Sequence, residues 1–293
     1  MKTYAHPEYL ISTDSLAAKI AAGDQGLSVF DATVSLVPAE TGYNAISGLA
    51  DYDKGHIPTA NFMDLMVDLA DTSSGFGFTL PTADQLQQSY RQLGIDNESE
   101  IVIYSSGHMM WATRAWWMLH SCGHKKVAVL DGGIAKWLTE NRAVTTDKAD
   151  VAQGDFKVDF DNKVWADKSQ VLAAIGDGDI CTINALAPDV HSGDAKMSYG
   201  RKGHIKGSQN VFYDDVLQDG CFRNAEQLNE VFSQQGILQK PKVIAYCGGG
   251  ISATIDALAL KLVGHKDIAV YDGSMSEWVA DESLPMSQGS GIE

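Results

Sequence analysis

PKVIAYCGGGISATIDALALKLVGH, residues 241–265, reads as a strand, a turn and a helix in that order. The run Lys242–Tyr246 is short, apolar and β-rich, the pattern of a strand buried on both faces. Cys247 and three glycines follow, and then Ile255, Leu258, Ala259 and Leu262 recur at helical spacing. Gly264 stands where the helix should stop, since the left-handed conformation that closes a last turn costs glycine least. A buried strand running directly into a covering helix predicts a parallel sheet with helices on both faces.

The same text occurs upstream. SEIVIYSSGHMMWATRAWWMLHSCGH (99–124) has the strand, the turn, helically spaced Trp111, Ala115, Met118 and Leu119, and a closing Gly123. Around it the repeat extends in order. GLSVFDATVSL (26–36), GHIPTANFMDL (55–65) and KVAVLDGGIAKW (126–137) pair with GDICTINALAP (178–188), GHIKGSQNVFYDD (203–215) and DIAVYDGSMSEW (267–278). Four matched blocks in one order mark an internal duplication. The predicted class is α/β: two tandem domains, each a parallel sheet with helices on both faces. SVFDA, IVIYS, VAVLD, DICTIN, KVIAY and IAVYD supply its strands. Boundaries follow from the polar stretch TTDKADVAQGDFKVDFDNK, giving a first domain over 1–143, a linker over 144–163 and a second domain over 164–293. The few apolar residues of that linker could dock on a domain.

Composition narrows the chemistry. The 293 residues hold 22 Lys and Arg against 38 Asp and Glu, a net charge of −16, with 44% hydrophobic residues. That charge repels polyanions, so neither nucleic acid nor an anionic membrane is expected as a partner. MKTYAHPEYLIST, residues 1–13, has no apolar run after a basic cluster, and no apolar stretch reaches membrane-spanning length, so a cytoplasmic location is expected. Cys122, Cys181, Cys221 and Cys247 show no paired spacing, which points to reduced thiols. Metal-ligand spacings such as H-E-x-x-H are absent, the acids are dispersed, and neither a metal nor another cofactor is expected.

Cys247 is the candidate nucleophile. In open α/β sheets ligands bind at the carboxyl ends of strands, where this residue lies. Glycines let backbone N–H groups approach a ligand without interference from a Cβ. The helix beyond them presents unpaired N–H groups and the positive end of its dipole. Such a cradle favours a thiolate and holds an anion. Most cysteines are buried core residues, but a core position has no need of three following glycines. A phosphate-binding loop would need a lysine or G-x-G-x-x-G spacing, and GGGIS has neither. The upstream counterpart is Ser105, with His108 nearby but no third group to orient a hydrolytic pair. A degenerate site is the expected reading there.

YCGGGISAT, the GHIKG block and YDGSMSEW together resemble the catalytic half of tandem rhodanese-type sulfurtransferases, and GHIPTANF with VLDGGIAKW resembles their non-catalytic half. The likeness spans nearly the whole chain. It implies two rhodanese-like domains and a six-residue loop opened by the nucleophile Cys247. Gly248, Gly249, Gly250, Ile251, Ser252 and Ala253 form the implied substrate-binding set. Implied too is a two-step reaction: Cys247 takes sulfane sulfur from a small anionic donor, thiosulfate or 3-mercaptopyruvate. It then passes the sulfur to cyanide, a thiol or a protein thiol, such as that of a thioredoxin-like protein.

Two departures bear on the substrate. Loops that prefer thiosulfate carry basic residues, whereas CGGGIS is small and neutral like those that prefer mercaptopyruvate. Yet the arginines that hold mercaptopyruvate in that type correspond to Leu186 and Val190 in NALAPDVHSG. A lost charge-assisted hydrogen bond costs about 1.5–3 kcal/mol. Arg114, His191, Arg201, Lys202 and Lys206 are candidate substitutes, and Arg114 could instead be an interdomain salt-bridge residue. A low-turnover persulfide carrier or regulatory module is therefore the alternative function. The related cysteine phosphatases need an arginine six residues after the cysteine, where this chain has Ala253. Features kept in both copies, His56 and His204, Trp137 and Trp278, Asp131 and Asp272, are expected to serve the fold. Function should lie where the copies differ.

Overall fold

The computed structural model describes residues 3–38 and 43–291. In the first half, five parallel strands form one sheet: β1 (Leu10–Ile11), β2 (Leu27–Asp31), β3 (Ala60–Phe62), β4 (Glu100–Tyr104) and β5 (Val127–Leu130), in spatial order β1-β5-β4-β2-β3. The second half builds another from β6 (Trp165–Ala166), β7 (Ile180–Asn184), β8 (Gln209–Asn210), β9 (Lys242–Tyr246) and β10 (Asp267–Tyr271). Its order, β6-β10-β9-β7-β8, repeats the first sheet position for position. The six strands predicted from the sequence each lie within a residue of an observed one. The four edge strands, two or three residues long, were not predicted, because so short a run carries no readable period.

Duplication extends to the hydrogen bonds. Tyr104, at the end of β4, accepts the Ile57 N–H on its hydroxyl (3.2 Å), and Tyr246 at the end of β9 accepts that of Ile205 (3.0 Å). Trp137 donates to Ala143 O and Trp278 to Pro285 O, each indole closing the loop after its own short helix. His56 lies between the carbonyls of Tyr52 and Asp147, while His204 bonds His191 O and stacks on the His191 ring at 3.8 Å. These repeated residues serve the fold, as expected.

Two helices follow the turns after β4 and β9: α1 (Met110–Ser121) and α2 (Ala253–Leu262). Both are buried around nearly their whole circumference, as helices trapped between two domains must be. They meet where Thr113 and Thr254, equivalent residues of the two copies, share a hydrogen bond of 2.7 Å between hydroxyls. On either side the domains exchange matched contacts. Leu80 N–H of the first domain donates to Asp272 of the second (2.9 Å), and Phe222 N–H of the second donates to Asp131 of the first (2.9 Å). Each donor residue lies two positions before a helix N-cap, Thr82 or Asn224, so the exchange has approximate two-fold symmetry.

The polar stretch between the domains runs over the first. Phe156 is fully buried there, and Gly154, Asp159 and Asp161 donate backbone hydrogen bonds to Arg91, Cys122 and Ser121. No helix among the described residues is long and apolar enough to cross a membrane.

Candidate active site

Cys247 follows directly on β9, the central strand of the second sheet, and is 2% exposed. Its loop is gripped from behind by the turn after β10. Cys247 N–H donates to Ser274 Oγ (3.1 Å), which itself donates to Tyr271 O (2.7 Å). Met275 N–H bonds the Cys247 carbonyl, and the N–H and hydroxyl of Ser276 both reach the Gly248 carbonyl. Ser274 has φ +48°, a strained value for a side-chain-bearing residue, where the first copy has Gly133 at φ +56°. The hydroxyl held against Cys247 N–H is what the second copy gains for that strain.

Gly248, Gly249, Gly250, Ile251, Ser252 and Ala253 form one continuous turn into α2. Among the described residues no acceptor takes the N–H groups of Gly248 through Ser252, and no side chain caps the helix. Orphan donors at a helix start suit an anion. Ile251 and Ala253 are core residues, so backbone is their only polar contribution. Gly250 adopts φ +73°, and a Cβ there would meet the Asp272 carbonyl at 2.5 Å. At Gly248 a Cβ would collide with the phenol of Tyr199.

Arg114 resolves as an interdomain residue. It is 1% exposed on α1, and its guanidinium donates to Gly250 O (3.1 Å), Phe78 O (2.8 Å) and Asp272 Oδ1 (2.6 Å). The same group stacks over Trp165 at 4.7 Å. The first domain thus holds the second domain's loop from inside. Of the other candidate cations, Arg201 is spent on the carbonyls of Asp281 and Leu284 (3.2 and 3.0 Å). Lys206 lines a cavity with Ala174, Cys181 and Lys240, at the opposite ends of the strands from Cys247. His191 is buried, and burial first, then His204, lowers its pKa to about 3, so it is neutral. Lys202 is exposed to solvent.

Three groups beside Cys247 were not singled out from the sequence. Tyr199 and Tyr213 both feel the charge of the thiol, and their phenols are pushed above the usual range mainly by burial. Asp256, on α2, is fully buried with neither carboxylate oxygen hydrogen-bonded. Burial first, then the charges of Cys247 and Asp215, raises its pKa well above the usual carboxylate range. An aspartate at a helix-facing core position is the one anomaly that a sequence reading could have marked.

Over the first domain's equivalent loop lies a cavity of ≈ 760 Å³, lined by Ser105, His108, Lys136, Cys221 and Arg223 among others. Ser105 Oγ donates to the carbonyl of His108 (2.9 Å), while His108 Nδ1 accepts from Met110 N–H (3.2 Å). Hydroxyl and imidazole are thus not paired, and the hydrolytic arrangement is not formed. Among the described residues there is no His, Cys, Asp and Glu cluster able to hold a metal.

A family model described as Rhodanese-like domain matches residues 12–140 and 174–281, covering both copies. The chain is 32% identical over 292 residues to the thiosulfate sulfurtransferase of Cricetulus griseus, covering 96% of this chain and 95% of that one. It is 28% identical over 280 residues to the 3-mercaptopyruvate sulfurtransferase of Escherichia coli K12, covering 95% and 97%. The crystal structure of SseA, a 3-mercaptopyruvate sulfotransferase from Escherichia coli, superposes with a TM-score of 0.80 at 27% identity, covering 91% and 98%.

Proposed function

This chain belongs to the rhodanese family and is a sulfurtransferase, and from that premise we propose that it carries sulfane sulfur as a persulfide on Cys247. The thiolate attacks the outer sulfur of thiosulfate or the sulfur of 3-mercaptopyruvate, and sulfite or the pyruvate enolate leaves. The persulfide sulfur is then attacked by cyanide, a thiol or a protein thiol, which restores the thiolate. In the first step a negative charge moves onto the transferred sulfur, and the N–H groups of Gly248 through Ser252, which have no acceptor among the described residues, are available to stabilise it. That run of N–H groups without a protein acceptor, beginning at a cysteine, is the observation that carries the reading.

Incubation with each donor followed by intact-mass measurement should show the protein gaining one sulfur atom, mapped to Cys247. Cys247→Ser should gain none and keep the native unfolding midpoint. If Cys247→Ser still gains the sulfur, or wild type never does with any donor, the proposal fails. A second reading, a low-turnover persulfide carrier in the cytoplasm, is favoured by Leu186 and Val190, where anchoring arginines would stand, and by the engagement of Arg114 and Arg201 with backbone carbonyls. Loading without efficient turnover across a panel of donors and acceptors would select it.

A further inference from the structure

Cys247 is 2% exposed, and Gly248, Gly250, Ile251 and Ser252 are buried with it. A nucleophile in that position cannot meet a donor of several heavy atoms until part of its cover moves. Beside Gly248 the cover is Tyr199: a Cβ on that glycine would strike the hydroxyl and adjoining ring carbons of the phenol. Tyr199 belongs to the loop 193–203, in which Asp194, Lys196, Met197, Ser198 and Gly200 are exposed. Its ring turns inward from this solvent-facing stretch and packs against the core.

The loop is built to pivot. Its ends touch, since a Cβ on Gly193 would lie 3.1 Å from Gly203 N. A compact surface loop with adjacent ends can swing without disturbing the elements that carry it. Gly193, Gly200 and Gly203 take φ of +86°, +123° and +101°, and glycine moves between such conformations at little steric cost. Residues 196–200 make no backbone hydrogen bond among the described residues. The flanking anchors are the Ala195 N–H on Asp189 O (2.9 Å) and the Arg201 guanidinium on Asp281 O and Leu284 O. An exposed stretch without backbone bonds lies at the low end of local stability. The copies also differ here. Between Asp31 and GHIPTANF the first copy has two antiparallel strands, Val34–Pro38 and Tyr43–Ser47, joined by a five-pair ladder. Between Asn184 and GHIKG the second copy has only the short helix Pro188–Ser192 and this loop. The stiff element stands in the copy without a nucleophile, and the unladdered one in the copy that has it.

We propose that residues 194–202 form a flap over the cysteine loop and that Tyr199 is its latch, admitting a reagent to Cys247 only when the phenol lifts off Gly248. Access then depends on reagent size, because a bulkier molecule needs a wider and rarer opening. The catalytic consequence rests on Cys247 being the sulfur carrier. The flap itself is read by alkylation, in which the thiolate displaces iodide and forms one S–C bond, and which needs only the thiol.

The test measures alkylation of each cysteine in the native full chain by quenched peptide mapping, with iodoacetamide and the bulkier iodoacetanilide. Tyr199→Ala should speed alkylation of Cys247 by iodoacetamide at least tenfold over wild type. Tyr199→Phe, which keeps the ring and its packing, should stay within twofold of wild type. The disadvantage of iodoacetanilide against iodoacetamide at Cys247 should shrink at least threefold in Tyr199→Ala. Cys122 and Cys181 are both buried and report wider unfolding, so their rates should be alike in all three proteins. A change below twofold at Cys247 in Tyr199→Ala overturns the proposal. So does an equal acceleration of Cys122, Cys181 and Cys247, which would mark Tyr199 as a merely structural residue. Alkylation of wild-type Cys247 only in step with Cys122 and Cys181 overturns it too, because unfolding and not a flap would then expose the thiol. Sulfur loading measured by mass on the same proteins separates the two readings: the expected alkylation pattern without loading from any donor upholds the flap and overturns the sulfur carrier.

Discussion

Arg114→Ala removes the guanidinium that ties the first domain to the cysteine loop of the second. In the native protein it serves three acceptors, Gly250 O, Phe78 O and Asp272 Oδ1, at 2.6–3.1 Å while 1% exposed. Removing one partner of a buried ion pair costs about 3–5 kcal/mol, because the remaining charge loses its compensation. Asp272 keeps the Leu80 N–H and is 17% exposed, so the low end applies, about 3 kcal/mol. In a chain of this size that corresponds to a fall of about 6–10 °C in midpoint. Freeing the Gly250 carbonyl also loosens the donor cradle, and a misplacement near 1 Å can cost ~100-fold in rate. Tenfold slower loading of Cys247 is therefore expected. Arg114→Lys keeps the charge but cannot span three acceptors in a plane, and should recover part of the stability and little of the rate. The assay is thermal unfolding of Arg114→Ala, Asp272→Asn and the double variant, with loading of Cys247 measured by mass on each. A coupling above ~1 kcal/mol between the two sites is expected for groups in direct contact. A midpoint change below about 2 °C together with additive single effects would refute the reasoning.

Other outcomes follow from burial. Asp256 has a raised pKa in the folded protein, so the unfolded chain releases its proton first as pH rises, and stability is lost above the ordinary carboxylate range. Asp256→Asn should therefore gain stability relative to wild type between pH 4 and pH 8, with the gain vanishing near pH 3; parallel denaturation curves across that range would contradict this. Burial pushes the thiols of Cys122 and Cys181 up to about 12 and about 11, so both should resist alkylation at pH 8 until the protein unfolds. Cys221 is half-buried on the 760 Å³ cavity, with Lys136 Nζ 3.8 Å from its sulfur, and should be alkylated before them; peptide mapping of a brief labelling reads the order.

Local pattern was enough to find the duplication, the six long strands, the two central helices and the cysteine loop. Each of these is written within one stretch of chain, as an apolar run, a helical period or a glycine cluster. Comparing the copies went further, because a residue retained in both, such as His56 with His204 or Trp137 with Trp278, can be assigned to the fold without coordinates. The surroundings of Cys247 were decided elsewhere. Ser274 holds its N–H, Tyr199 fills the space beside Gly248, Asp256 sits uncompensated behind it, and Arg114 reaches across from the other domain. None of these contacts follows from periodicity, which reports the face a residue presents but not which distant segment packs there. The exchange of Leu80 with Asp272 and Phe222 with Asp131 sets the relation of the two domains. That packing, and not the arginine's place in its own helix, turned Arg114 from a candidate substrate anchor into a support of the cysteine loop. The sequence by itself determined two copies of one α/β unit and a nucleophile on one of them. Only the tertiary structure decided what surrounds that nucleophile, because side chains from four separate segments meet there through domain packing that no local pattern encodes.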